Sequence, residues 1–85
     1  MVNLTAEAVL AELQPIFEEA LDEPGITIKR TSSAWNTPNW DSLAHIDLIE
    51  MAERHFKIKL TLVELQEIRE AGDLADLIVQ KAKQG

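Results

Sequence analysis

NWDSLAHIDLIEMAERHF, residues 39–56, changes character at Asp41. Ahead of it the chain is polar and broken by proline; behind it, apolar residues recur at three- and four-residue steps. At 100° per residue His45, Leu48, Ile49, Ala52 and Phe56 share one stripe. Leu43, Asp47, Glu50 and Arg54 fall on the other side, with Met51 at its edge. This predicts an amphipathic helix from about Ser42 to Phe56 with Asp41 as its N-cap. Trp40, just before the cap, is placed to pack on His45 in the manner of a hydrophobic staple. The outer face is acidic with two apolar side chains, and Ser42 stands in the first turn.

The flanking sequence repeats this helical signal. From Thr5 to Leu21 the residues Val9, Leu10, Leu13, Ile16, Phe17, Ala20 and Leu21 mark one helix face, with Thr5 as N-cap and Glu7 in the first turn. Pro15 interrupts the hydrogen bonding without shifting the apolar period, which predicts a kink and not a break. Residues 22–40 read as a long connection, with ITIK as an extended part of it and Trp35 and Trp40 as its anchors on the bundle. Thr61 followed by Glu64 is a capping box that starts a short helix ending near Ile68. A last helix is expected from Asp73, after Gly72, with Leu74, Leu77 and Ile78 inward and Lys81 and Lys83 in its final turn. The fold class is therefore all-α: a single small four-helix bundle over residues 1–85, three longer helices and one short third helix, with a long loop after the first.

Composition narrows the partners. Fifteen acidic against eight basic residues give a net charge of -7, a field that repels nucleic-acid phosphates and anionic lipid and suits a basic protein surface. With no cysteine there is no disulfide, thiolate metal site or cysteine nucleophile. The first ten residues show no basic and apolar export signal, and no apolar run is long enough to span a bilayer, so a cytoplasmic protein is expected.

Ser42, His45 and Asp47 lie within six residues, as a nucleophile, base and orienting acid would. On a helix, however, the histidine and the aspartate point to different sides, and no G-x-S-x-G elbow or oxyanion site accompanies them. No catalytic residue is assigned. His45 and His55 lack a convergent carboxylate pair, so no metal site is assigned either. Attachment suits the same serine better: a phosphodiester on a first-turn hydroxyl would lie beside free backbone N–H groups and the positive end of the helix dipole. The residues permit attachment without demanding it.

The ordered set of Asp41-Ser42-Leu43 opening an acidic helix, Phe56 fourteen residues after the serine, Ile58 and Leu60 behind it, the capped helix from Thr61, and Gly72-Asp73-Leu74 resembles the acyl carrier proteins. Nearly the whole chain takes part. Many fatty-acid carriers have a glycine three residues before the serine and a small residue before the aspartate, where this chain has Asn39 and Trp40. The W-D-S-L-A-H-I form is more similar to discrete carriers of polyketide, modified-lipid or surface-glycan assembly.

The resemblance implies a non-catalytic carrier that holds acyl groups as thioesters on a 4'-phosphopantetheine arm attached to Ser42. Asp41 then lies where the modifying synthase places its metal ion, and Leu43, Asp47, Glu50, Met51 and Glu53 match the family's recognition helix. The implied partners are a phosphopantetheinyl transferase, an acyl-loading enzyme and acyl-processing enzymes that meet a free-standing monomer. Two other readings stay open: an unmodified interaction module, and a free-standing peptidyl carrier.

Overall fold

The computed structural model describes residues 5–84; the first four of the ten residues read for an export signal lie outside them. Four helices follow one another: α1 (Ala6–Ala20), α2 (Ser42–Phe56), the short α3 (Leu62–Glu67) and α4 (Ala71–Gln84). No helix is long and apolar enough to cross a membrane among the described residues.

Each of the first three helices begins where its own side chains close off the free N–H groups. Thr5 Oγ1 accepts the Ala8 N–H at 3.1 Å, and Asp41 Oδ1 accepts that of Ala44 at 2.9 Å. At α3 the exchange is reciprocal: Thr61 Oγ1 accepts from Glu64 N–H while Glu64 Oε1 accepts from Thr61 N–H, at 3.1 and 2.8 Å. α2 ends at Lys57, which takes a left-handed conformation (φ 57°) and returns its N–H to the Glu53 carbonyl.

α1 packs against both α4 and α2, and the core lies between them. Val9, Leu13 and Phe17 from α1, Leu48 and Ala52 from α2, and Leu74 and Ile78 from α4 are fully enclosed. Burying each of the larger of these side chains favours folding by about 1.5–3 kcal/mol. The expected α2 stripe is present, with Leu48, Ile49 and Ala52 buried and His45 and Phe56 partly so; Ala44 joins it. α1 runs unbroken through Pro15. Pro15 and Ala11 are both exposed, so the Ala11 carbonyl that proline cannot serve is open to water. α3 contributes no buried residue of its own; Glu64 ties it to α4 through Lys81 Nζ at 2.8 Å. That ammonium first, and the Thr61 backbone next, hold the Glu64 carboxyl below its usual range.

The long connection is not loose. Its extended part pairs with a side chain in place of a strand: Ile28 N–H donates to Gln14 Oε1 at 3.0 Å, and Gln14 Nε2 donates to the Ile26 carbonyl. Further on it settles over the start of α4. The Ala71 N–H donates to the Ser32 carbonyl at 2.8 Å and the Gly72 N–H to that of Arg30 at 2.9 Å. A Cβ built on Gly72 would lie 3.0 Å from the Arg30 carbonyl oxygen, which gives the glycine its reason. Arg30 also forms a two-pronged ion pair with Asp76.

Two expectations are corrected here. α4 starts at Ala71 and not at Asp73: Asp73 lies inside the first turn and reaches back, its Oδ2 accepting the Arg69 and Glu70 N–H groups, each at 3.1 Å. Trp35 is not an anchor, because 98% of it is exposed, while Trp40 alone is buried. The turn that carries Trp35 buries its own Ser33 and Thr37 and turns the ring outward.

Candidate functional site

Where the long connection meets α2, three consecutive polar or aromatic residues fix the helix start. Asn39 sits at φ 67°, a left-handed conformation that asparagine tolerates better than most side chains. Its Nδ2 donates to the Leu21 carbonyl at 3.0 Å, joining the end of α1 to the start of α2. The backbone explains why a glycine-like residue is wanted three positions before Ser42. Trp40 follows and is buried, its ring edge-on to Phe17 at 5.1 Å. Asp41 then caps the helix with Oδ1, while its Oδ2 accepts no hydrogen bond among the described residues.

Ser42 is the first residue of α2, and its side chain is exposed. Its N–H and that of Leu43 occupy the first two helical positions, which have no acceptor within a helix. The hydroxyl opens onto a shallow groove of about 510 Å³ floored by Trp40, His45 and Ile68 and edged by Ala34 and Ile46. A bound anion there would feel the dipole's attraction and the repulsion of Asp41 together.

His45 is occupied elsewhere. Trp40 Nε1 donates to its Nδ1 at 3.1 Å, so this nitrogen is an acceptor and the ring is neutral. Burial lowers its pKa below the usual histidine value. The ring thus joins the connection to α2. It orients no nucleophile, and Asp47 is exposed on another side of the helix. His55 forms a half-exposed pair with Glu12 at 2.9 Å. No group of three or more metal-ligating side chains converges among the described residues.

The five residues matched to a recognition helix divide in two. Leu43, Asp47 and Glu50 stand exposed on one side of α2. Met51 is half-buried against the core, and Glu53 is half-buried with Oε2 accepting the Leu60 N–H at 2.8 Å. Sequence reasoning missed Ile46, which is 54% exposed on the Leu43 side. Its spacing of three residues from Leu43 and four from Glu50 was signal enough to find it.

No protein-family model and no curated protein matches the chain. Among solved structures, the solution NMR structure of a holo acyl carrier protein from Geobacter metallireducens is similar to it. The TM-score is 0.83 at 43% sequence identity, covering 89% of this chain and 87% of that one. Identity of that order over most of both chains, with the four helices in a shared fold, makes this chain a member of the acyl carrier protein family.

Proposed function

We propose that the chain carries acyl intermediates as thioesters on a 4'-phosphopantetheine arm joined to Ser42, in type II fatty-acid, polyketide or another specialised acyl biosynthesis. The observation that carries this reading is the exposed Ser42 hydroxyl at the first residue of α2, in a fold shared with a holo carrier. The arm, when bound, supplies the thiol that forms the thioester. The chain's own residues do the rest. Ser42 Oγ takes the phosphodiester, and the N–H groups of Ser42 and Leu43 face it. Asp41 holds the helix start with one oxygen and leaves the other to the metal ion of a phosphopantetheinyl transferase. His45 and Trp40 brace the groove from behind and take no part in chemistry.

Intact mass after incubation with a broad-range transferase tests the site. The wild-type protein gains one arm and Ser42→Ala gains none. Ser32 and Ser33 are internal controls, being buried with their hydroxyls accepting the Lys29 and Trp35 N–H groups. An alanine variant that still gains the full increment overturns the assignment to Ser42. A wild-type protein that gains nothing favours an unmodified interaction module, and an aminoacyl group on the arm of protein from its native host marks a peptidyl carrier.

Leu43, Ile46, Asp47 and Glu50 form the face offered to the transferase, loading and processing enzymes, each of which presents a basic patch. Rim charges of this kind raise encounter rates while adding little lasting affinity, which suits a carrier that must leave again. Reversing Asp47 and Glu50 together to lysine leaves the core stripe alone. With each exposed pair worth roughly 0.2–1 kcal/mol and two pairs lost, modification of Ser42 should slow by about two- to thirtyfold at low salt. Equal rates for the two folded proteins would assign docking to the apolar Leu43 and Ile46.

A further inference from the structure

Trp35 is the largest apolar side chain the fold leaves open, and the turn beneath it is anything but frayed. Ser33 Oγ accepts the Trp35 N–H at 3.3 Å, Asn36 Oδ1 accepts the Ser33 N–H at 2.8 Å, and Asn36 Nδ2 donates to the Thr31 carbonyl at 3.0 Å. Buried Ser33 and Thr37 pin the turn on both sides. The ring is therefore held out by an ordered backbone.

What it overlooks is the far end of the site. The groove at Ser42 adjoins a second open groove of about 480 Å³ that shares Ala34, Trp40, His45 and Ile68 with it and is lined besides by Trp35, Arg69 and Glu70. One surface track thus runs from the Ser42 hydroxyl, over an aromatic and aliphatic floor, to the exposed indole.

We infer that Trp35 is a docking platform for the prosthetic arm attached to Ser42, which lies back along this track when no partner enzyme holds it. The inference rests on the attachment proposed above. An arm of this kind carries two planar amides and a pair of geminal methyl groups, which suit an aromatic face and an apolar floor. An indole offers that area with little side-chain freedom to lose. Tethering makes a weak contact sufficient: at the millimolar effective concentration of a short flexible link, a contact of about 1 mM affinity is roughly half occupied. Such occupancy shields the arm and still releases it to an enzyme.

The test compares apo and holo wild-type protein by acrylamide quenching of tryptophan fluorescence, with Trp35→Phe measured in parallel to subtract the buried Trp40. Intact mass first establishes that each holo sample carries one arm. The Trp35 quenching constant should fall by about a third to a half on arm attachment, as half occupancy requires. The Trp35 indole N–H resonance, identified by its loss in Trp35→Phe, should shift between the two forms. Full mass gain with unchanged quenching and an unmoved resonance overturns the platform, leaves the carrier reading intact and assigns the exposed ring to partner proteins. Failure to gain mass at Ser42 strikes the carrier reading itself.

Discussion

Trp40→Ala is expected to lower the unfolding free energy by about 3–5 kcal/mol, the cost of emptying a buried aromatic site. The ring is 6% exposed, meets Phe17 edge-on and carries the indole hydrogen bond to His45, so the variant loses packing and a polar partner together. Trp40→Phe separates the two. It keeps much of the packing while removing the bond and part of the ring volume, for a smaller loss of about 1–2 kcal/mol. The pair also governs acid behaviour. Burial depresses the His45 pKa in the folded state, so the unfolded chain binds the proton more readily. The associated stability is complete above the unfolded histidine value of about 6.5, and it is lost as pH falls from there through the folded value. A protonated ring would point a second N–H at the Trp40 indole. In Trp40→Phe that conflict is absent, and the loss of stability between pH 7 and 5 should shrink. Urea unfolding at several pH values measures both effects. An alanine variant as stable as the wild type would mean that Trp40 does not anchor the connection.

At Gly72, packed beneath the connection, the size of the replacement decides the result. Gly72→Ala places a methyl group 3.0 Å from the Arg30 carbonyl oxygen, so the connection must yield by a few tenths of an ångström. The helix propensity gained, about 1 kcal/mol, offsets much of that strain, and the variant should be near neutral. Gly72→Val adds a branch that backbone cannot accommodate, and overpacking of this kind costs about 1–3 kcal/mol. The carbonyls of Arg30 and Ser32 would lift away from α4 and take the Arg30–Asp76 pair with them. The expected midpoint shift in urea is therefore large for valine and small for alanine. Equal stability of valine and wild type would show that the connection does not ride over this residue.

The features legible in the sequence were those whose causes are local. Thr5, Asp41 and the Thr61–Glu64 pair lie within three residues of the amides they satisfy, and each helix start that they mark is where the structure has it. The interior stripe of α2 followed from period alone. The start of α4 was misread because its first amides are met by carbonyls some forty residues away, which leaves no mark beside Ala71. Trp35 and Trp40 are equal by composition. What separates them is the direction of a turn set by Ser33 and Asn36 side chains, and no periodicity reports that. At the site, the exposure of Ser42 followed from its place in the first turn. The half-burial of Glu53 did not, because it depends on how the chain returns from Lys57 to offer the Leu60 N–H.

The clasp between the connection and α4 makes two amide hydrogens into a clock. Opening amides of a helix ordinarily exchange with solvent quickly, since nothing in the helix holds them. Those of Ala71 and Gly72 are held by the Ser32 and Arg30 carbonyls instead. Their exchange in heavy water therefore times the lifting of residues 30–32 from the bundle, a partial opening distinct from the unfolding of α4 around Leu74 and Ile78. Because the same connection ends in Asn39 and Trp40, those two hydrogens report from a distance how often the ground beneath Ser42 comes loose.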